Sequence, residues 1–213
     1  MRIGWLRSVC NIFHSFATNS FMDEIAHARG EDPRDVMLEI FGPARLVSAA
    51  DLGVSKVPNY GAPLEKHPID VGRLRHVIER VTEISGWAGR KKNNRAFGLA
   101  AHRSFLTYTA AVVSVVRDAA GKIHVDEAWL VADAGTVVNT DRVRSQMEGA
   151  VVFGMSVAMY GALTLKNGAV EQSNFRDFRV VRIAEVPRKI HIELIKSDGL
   201  PGGVGEPGVP PIA

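Results

Sequence analysis

TYTAAVVSVVRDAAGKIHVDEAWLVA, residues 107–132, decides the fold. Two runs rich in β-branched residues, 107–116 and 123–132, flank the turn Asp118-Ala119-Ala120-Gly121, a pattern that predicts a β-hairpin. Working outward, residues 97–101 carry the same bias, and 190–195, with Pro187 just ahead, read as another strand. Residues 163–170 around Asn167-Gly168 give a second hairpin signal. Between and before these lie helical periods. Residues 11–28 place Ile12, Phe13, Phe16, Ala17, Phe21, Ile25 and Ala28 at three- and four-residue steps up to Gly30, which predicts an amphipathic helix on that apolar face. Asp32-Pro33 starts a short helix through Val36, Met37 and Ile40 to Gly42, and a third runs from 70 to 85. Asn139, Thr140 and Asp141 supply capping chemistry for a long helix over 141–160, closed by Gly161. No regular strand-helix-strand alternation is present. The fold expected is α+β, with helices packed on an antiparallel or mixed sheet. Residues 1–65 read as a helical pair and connector, and 66–213 as the main α+β part.

Composition narrows the function. The chain has 213 residues, 46% hydrophobic and 23% charged, which is globular usage and excludes collagen, coiled coil and disorder. Cys10, the single cysteine, forms no intrachain disulfide, and with seven scattered histidines it makes no zinc module. Against 23 acidic residues, 26 basic ones leave a net charge of only +3, so charge alone does not point to nucleic acid. Arg2 and Arg7 interrupt any signal-peptide core, and the longest uncharged run, 149–165, is too short to span a bilayer.

Few residues suggest chemistry. In the tail GLPGGVGEPGVPPIA, Glu206 stands among glycines and prolines that bring backbone close to a ligand and hold it rigid. A solvated glutamate in a loose terminus is the plainer reading of the same residues. Gln146, early in the long helix, can bond a polar cofactor through both amide edges, and Glu148 can complement the helix dipole. An exposed first turn is the alternative. Ala150, Gly154, Ala158 and Ala162 form a small-residue stripe that something must approach closely. That stripe and the apolar strands 110–116 and 128–132 need covering surfaces, part of which is expected upstream of Met1. The segment 154–158 misses the serine-hydrolase elbow because it lies within a helix. The basic stretch 90–95 reads as a solvated connector, and His67 and His76 are too far apart for a metalloprotease helix.

Taken in order, WLRSV, FATNSFMDEIAHARGEDP, DAGTVVN, SQMEGAVVFG, VEQSNF and GVGEPGVPPIA resemble the molybdenum-binding large subunit of the xanthine dehydrogenase and aldehyde oxidase family, of the isoquinoline 1-oxidoreductase β-subunit type. The resemblance implies the carboxy-terminal portion of such a subunit, with an upstream portion and a small iron–sulfur subunit as partners. It implies a molybdenum–molybdopterin cofactor in its cytosine dinucleotide form, and oxidation of N-heteroaromatic or aldehyde substrates with water as oxygen source. By the same resemblance Glu206 is the general base. Gln146, Gly149 and Gly205 lie against the cofactor, and Arg7 falls in the substrate-pocket segment. No protein residue is expected to ligate the metal. Asn19 stands where the family usually has glutamate. A catalytically silent remnant or assembly module without cofactor is the alternative, and the compartment, cytoplasmic or periplasmic in a bacterium, stays open.

Overall fold

Helix ends in this computed structural model, which describes residues 4–92 and 95–213, lie where their capping side chains put them. Helix α1 (Asn11–Arg29) ends at Gly30 in the left-handed conformation, whose N–H reaches back to Ala26 and His27 carbonyls. Asp32 accepts from the Arg34 N–H to start α2 (Pro33–Phe41), and Asp70 accepts from Gly72 and Arg73 to start α3 (Val71–Ile84). The connector carries two short paired strands, β1 (Leu46–Val47) and β2 (Ile69–Asp70).

Strands β3 (Ala96–Ser104), β4 (Thr107–Arg117) and β5 (Ile123–Asp133) form an antiparallel meander. After β5 the chain crosses through α4 (Thr140–Tyr160) and a small hairpin, β6 (Leu165–Lys166) with β7 (Ala169–Val170). It returns as β8 (Lys189–Leu194), which pairs with β5 in parallel, so the sheet is mixed, with order β3-β4-β5-β8. A parallel pair needs such a long crossover, whereas the meander needs only turns. The architecture is α+β, as the sequence predicts.

Both faces of the sheet are covered. Trp129 and Val131 of β5 join Val77, Ile78 and Val81 of α3 in one core, with Met22, Met37 and Leu38 of α1 and α2. Ala128, Leu130 and Ala132 point the other way, to Val143, Met147, Val151 and Met155 of α4. A strand buried on both faces reads as a continuous apolar run, which is why 128–132 shows no alternation. The apolar strands thus find cover within this chain, through α3 and α4.

One hairpin goes unread in the sequence, and one expectation is corrected. The turn joining β3 to β4 is Phe105-Leu106, both at positive φ (49° and 69°), a conformation usually given to glycine or asparagine, so sequence patterning misses the hairpin. Helix α1 buries a different face from the one expected, keeping Ile12 inside but turning the phenylalanines out. Asn11, Ile12, Ser15, Asn19, Met22 and Ala26 are buried, while Phe13, Phe16 and Phe21 are about 60% exposed. The buried polar face is explained by the edge it meets: Asn19 donates Nδ2 to the Ala101 carbonyl (3.1 Å) and accepts from the Ala101 N–H (2.9 Å). Its amide completes an edge-strand residue that would otherwise be unpaired. A glutamate there has no N–H for that carbonyl.

At the small-residue stripe, the tail supplies the covering surface at Ala150 and Gly154. Val209 packs with Ile12 and Ala150, and a Cβ on Gly154 would stand 2.7 Å from Ile212 Cβ. Ala158 and Ala162 are exposed. We expect Gly154→Val to cost about 1–3 kcal/mol through overpacking and to lift the tail. A lowered urea midpoint together with faster proteolysis after residue 199 checks this.

Candidate functional site

The tail 199–213 is stitched to one end of the sheet by its own backbone. Thr136 donates to the Gly199 carbonyl from N–H and hydroxyl (2.8 and 3.0 Å), and the Gly202 N–H reaches the Ala134 carbonyl (2.8 Å). Gly203 donates to Phe105 O and accepts from Thr107 Oγ1, both at 2.7 Å, and Thr109 Oγ1 donates to Pro207 O (2.9 Å). Residues 207–211 are buried, so the loose, solvated terminus is not what the structure shows. The strained 105–106 turn is thereby a docking point for the glycine segment.

Beneath the stitching lies a buried ion pair. Arg73 Nε and Nη2 clasp Asp133 at 2.7 and 2.6 Å, and Asp133 also accepts from the Gly135 N–H (3.1 Å). Burial disfavours the charged carboxylate, but the hydrogen bonds from Arg73 and Gly135 outweigh it and hold Asp133 below its ordinary pKa.

On this base the turn 6–9 meets Glu206. Ser8 is fully buried; its N–H donates to Glu206 Oε2 (2.7 Å) and its hydroxyl to the Glu206 carbonyl (2.6 Å). Ser8 and Val9 both have positive φ (76° and 50°). For side-chain-bearing residues that conformation costs about 1–2 kcal/mol each, and it persists because the neighbouring contacts hold it. Arg7 donates Nε to the Gly205 carbonyl (2.6 Å) and Nη2 to both the carbonyl and Oε1 of Gln146 (3.2 Å each). Its Nη1 lies 3.9 Å from where a Cβ on Gly149 would stand. Burial draws the Arg7 pKa down and the Glu206 carboxylate opposes this; a guanidinium stays charged throughout.

All five residues singled out in the sequence, Arg7, Gln146, Gly149, Gly205 and Glu206, therefore lie in one patch where the turn 6–9, the first turns of α4 and the tail meet. Gln146, Gly149 and Gly205 are exposed, Arg7 and Glu206 half-buried. Ser8, which touches Glu206 twice, is the residue that sequence reasoning missed. Its contact spans 198 positions and has no local signal.

Adjoining the patch is an apolar trough of about 330 Å³ lined by Leu6, Gly149, Phe153, Val157, Phe178 and Val180. Two cations of the basic stretch are paired. Arg90 pairs with Asp32 (2.8 Å) over the Trp87 ring, and Arg95 with Asp126 (2.9 Å), while the side chains of Lys91 and Lys92 and residues 93–94 lie outside the described residues. Among the described residues no group of three or more His, Cys, Asp and Glu is placed to hold a metal ion, and no helix is long and apolar enough to cross a membrane.

Residues 76–187 match the molybdopterin cofactor-binding domain, and the chain belongs to that family, within the molybdopterin-binding proteins of the xanthine oxidase group. It is 30% identical to the membrane-bound aldehyde dehydrogenase [pyrroloquinoline-quinone] of Gluconacetobacter polyoxogenes, across 97% of this chain and 26% of that one. Identity is 29% to the beta subunit of isoquinoline 1-oxidoreductase from Brevundimonas diminuta (91% and 22%). It is 24% to a nicotinate dehydrogenase subunit from Pseudomonas putida (100% and 17%). The chain spans about a quarter or less of the length of these relatives.

We expect the Arg73–Asp133 clasp to make tail docking acid-sensitive. Because the folded pKa of Asp133 lies below the unfolded value of about 3.9, its contribution is complete above that pH and is lost as pH falls through the lowered folded value. Asp133→Asn should cost on the order of 2–3 kcal/mol near neutral pH, less than stranding a fully buried charge because Arg73 keeps a path to water. The gap to wild type should shrink below about pH 4, read by denaturant titration across pH.

Proposed function

We propose that this chain is the carboxy-terminal part of the catalytic subunit of a molybdenum hydroxylase, with Glu206 as general base. The observation that carries the reading is the anchored carboxylate. Ser8 N–H holds Oε2, while Oε1 accepts no hydrogen bond from the described residues, so one oxygen fixes the geometry and the other remains to take a proton.

The residues present suit the cofactor. Gln146 spends Oε1 on Arg7 and keeps its two N–H donors, which have no partner among the described residues, for a polar heterocycle edge. Gly149 and Gly205 are exposed and let main chain come close. Arg7 braces both the Gly205 carbonyl and Gln146 and keeps a positive charge beside Glu206. When bound, the molybdenum–molybdopterin group supplies the redox chemistry, and the protein supplies position and electrostatics.

In this reading Gln146, Gly149 and Gly205 line the cofactor, and Arg7 with the adjoining trough faces the substrate. Glu206 takes the proton of the attacking water-derived oxygen. The substrate is an aldehyde or an N-heteroaromatic, in keeping with relatives named for aldehyde, isoquinoline and nicotinate. The cofactor form proposed is the cytosine dinucleotide. The partners are the upstream portion of the catalytic polypeptide and a small iron–sulfur subunit, in keeping with two relatives being named as subunits.

Glu206→Gln keeps an acceptor for the Ser8 N–H, so folding and molybdenum content should survive while turnover falls about 100- to 10,000-fold. Glu171→Gln, at an exposed position in the β6–β7 arm, should leave turnover near wild type. Native reductive half-reaction rates in Glu206→Gln at normal molybdenum content would refute the assignment. Gln146→Ala should instead lower cofactor occupancy first, by about 1–3 kcal/mol of binding, read as molybdenum per protein.

A further inference from the structure

Behind the Glu206 contact runs a line of side chains that the proposed chemistry does not use. Asn11, at the first turn of α1 and buried, donates Nδ2 to the Ser8 carbonyl (3.0 Å), and its own main-chain N–H reaches the same oxygen (3.0 Å). Asn11 Oδ1 is itself held by two groups from distant elements: Tyr60 donates its hydroxyl (3.2 Å) and His102 Nε2 stands 3.1 Å away. With an amide oxygen opposite, His102 Nε2 must carry the ring proton. Burial, helped by His14, pulls the His102 pKa down to about 4, so the ring is neutral at ordinary pH and its donor role is steady.

His102 is on β3, paired with Thr109 of β4, and Thr109 also holds Pro207 beside Glu206. Tyr60 packs its ring on Phe105 (centroids 4.9 Å apart), whose carbonyl binds the Gly203 N–H. Both ends of the line therefore close on the tail that carries Glu206.

We infer that Asn11 and Ser8 form a positioning strut, braced by His102 and Tyr60, that sets where the Glu206 carboxylate points. The inference rests on the general-base reading of Glu206 for its effect on turnover. Its geometric content stands independently. Asn11 sets the Ser8 carbonyl, the left-handed turn then aims the Ser8 N–H at Oε2, and the Ser8 hydroxyl fixes the Glu206 main chain. Residues that orient an acting group in this way typically contribute about 10- to 100-fold to activity without touching substrate.

The test uses the assembled enzyme, with a small aldehyde and a small N-heteroaromatic as substrates and an artificial electron acceptor. Asn11→Asp keeps the acceptor for Tyr60 and His102 but replaces the donor to Ser8; Ser8→Ala removes the hydroxyl; Ser8→Gly removes it while relieving the left-handed backbone. Asn11→Asp and Ser8→Ala should lower kcat about 10- to 100-fold with KM changed less than about threefold and molybdenum content native. Ser8→Gly should recover part of the loss. Residue-resolved hydrogen–deuterium exchange gives the second readout. The Ser8 amide should exchange at least about tenfold faster in Glu206→Ala, and likewise in Asn11→Asp, as expected when a hydrogen-bonded amide is released.

If either substitution at Asn11 or Ser8 prevents assembly, Tyr60→Phe, which keeps the ring on Phe105 and deletes one brace, carries the same measurements with a smaller effect of the same sign. A Ser8 amide that exchanges equally in wild type and Glu206→Ala, or a native kcat when that amide has been released, overturns the strut. Failure of the base assignment looks different: Glu206→Gln then retains turnover while the Ser8 amide still responds to Glu206→Ala.

Discussion

Everything at the candidate site depends on the docking of a segment with little regular structure of its own. The tail forms no strand or helix, yet hydrogen bonds to Ala134, Thr136, Phe105, Thr107 and Thr109 give its main-chain groups partners that secondary structure would otherwise provide. Buried backbone polar groups need partners, and the end of a three-stranded meander offers them at the spacing the glycines can reach. The side of the tail away from the sheet closes on Ala150 and Gly154 of α4, where only small residues leave room. Glu206 is thus held between a sheet end and a helix, with its backbone fixed before its carboxylate does anything.

The polar contacts divide by place. The Arg73 clasp on Asp133 sets the turn after β5 from which the Thr136 and Ala134 contacts extend. The Ser8 and Arg7 contacts bind the amino-terminal turn to the tail, joining positions 198 residues apart. Such long-range hydrogen bonds close large loops, and the entropy they oppose is offset by the apolar cluster of Ile12, Ala150 and Val209 directly below. Packing brings the three segments together; hydrogen bonds then decide which atoms face one another.

Helix α1 shows the same division. Its buried face mixes Asn11, Ser15 and Asn19 with Ile12, Met22 and Ala26, and Asn19 is there because the face meets a sheet edge, where an amide satisfies Ala101 better than a hydrocarbon can. Its phenylalanines, which by periodicity alone belong inside, face outward. The apolar periodicity of the sequence was a true signal of a helix and a misleading signal of its orientation.

Elements and caps were legible locally, because strand bias, capping by Asp32, Asp70 and Asn139, and the Asn167-Gly168 turn act within a few residues. The candidate site residues were legible too, chiefly through the order of motifs that resemble one family, and Glu206 stood out by its glycine and proline surroundings. The Phe105-Leu106 turn was not legible, since its left-handed backbone is held by Gly203 and Tyr60 from elsewhere in the chain. Nor were Ser8, Asn11 and His102, whose roles arise from contacts between residues many positions apart. Local propensity determined which pieces form. Tertiary structure alone decided which face of α1 is buried, where the tail docks and what holds the Glu206 carboxylate, because those choices depend on satisfying polar groups that meet only after the chain has folded.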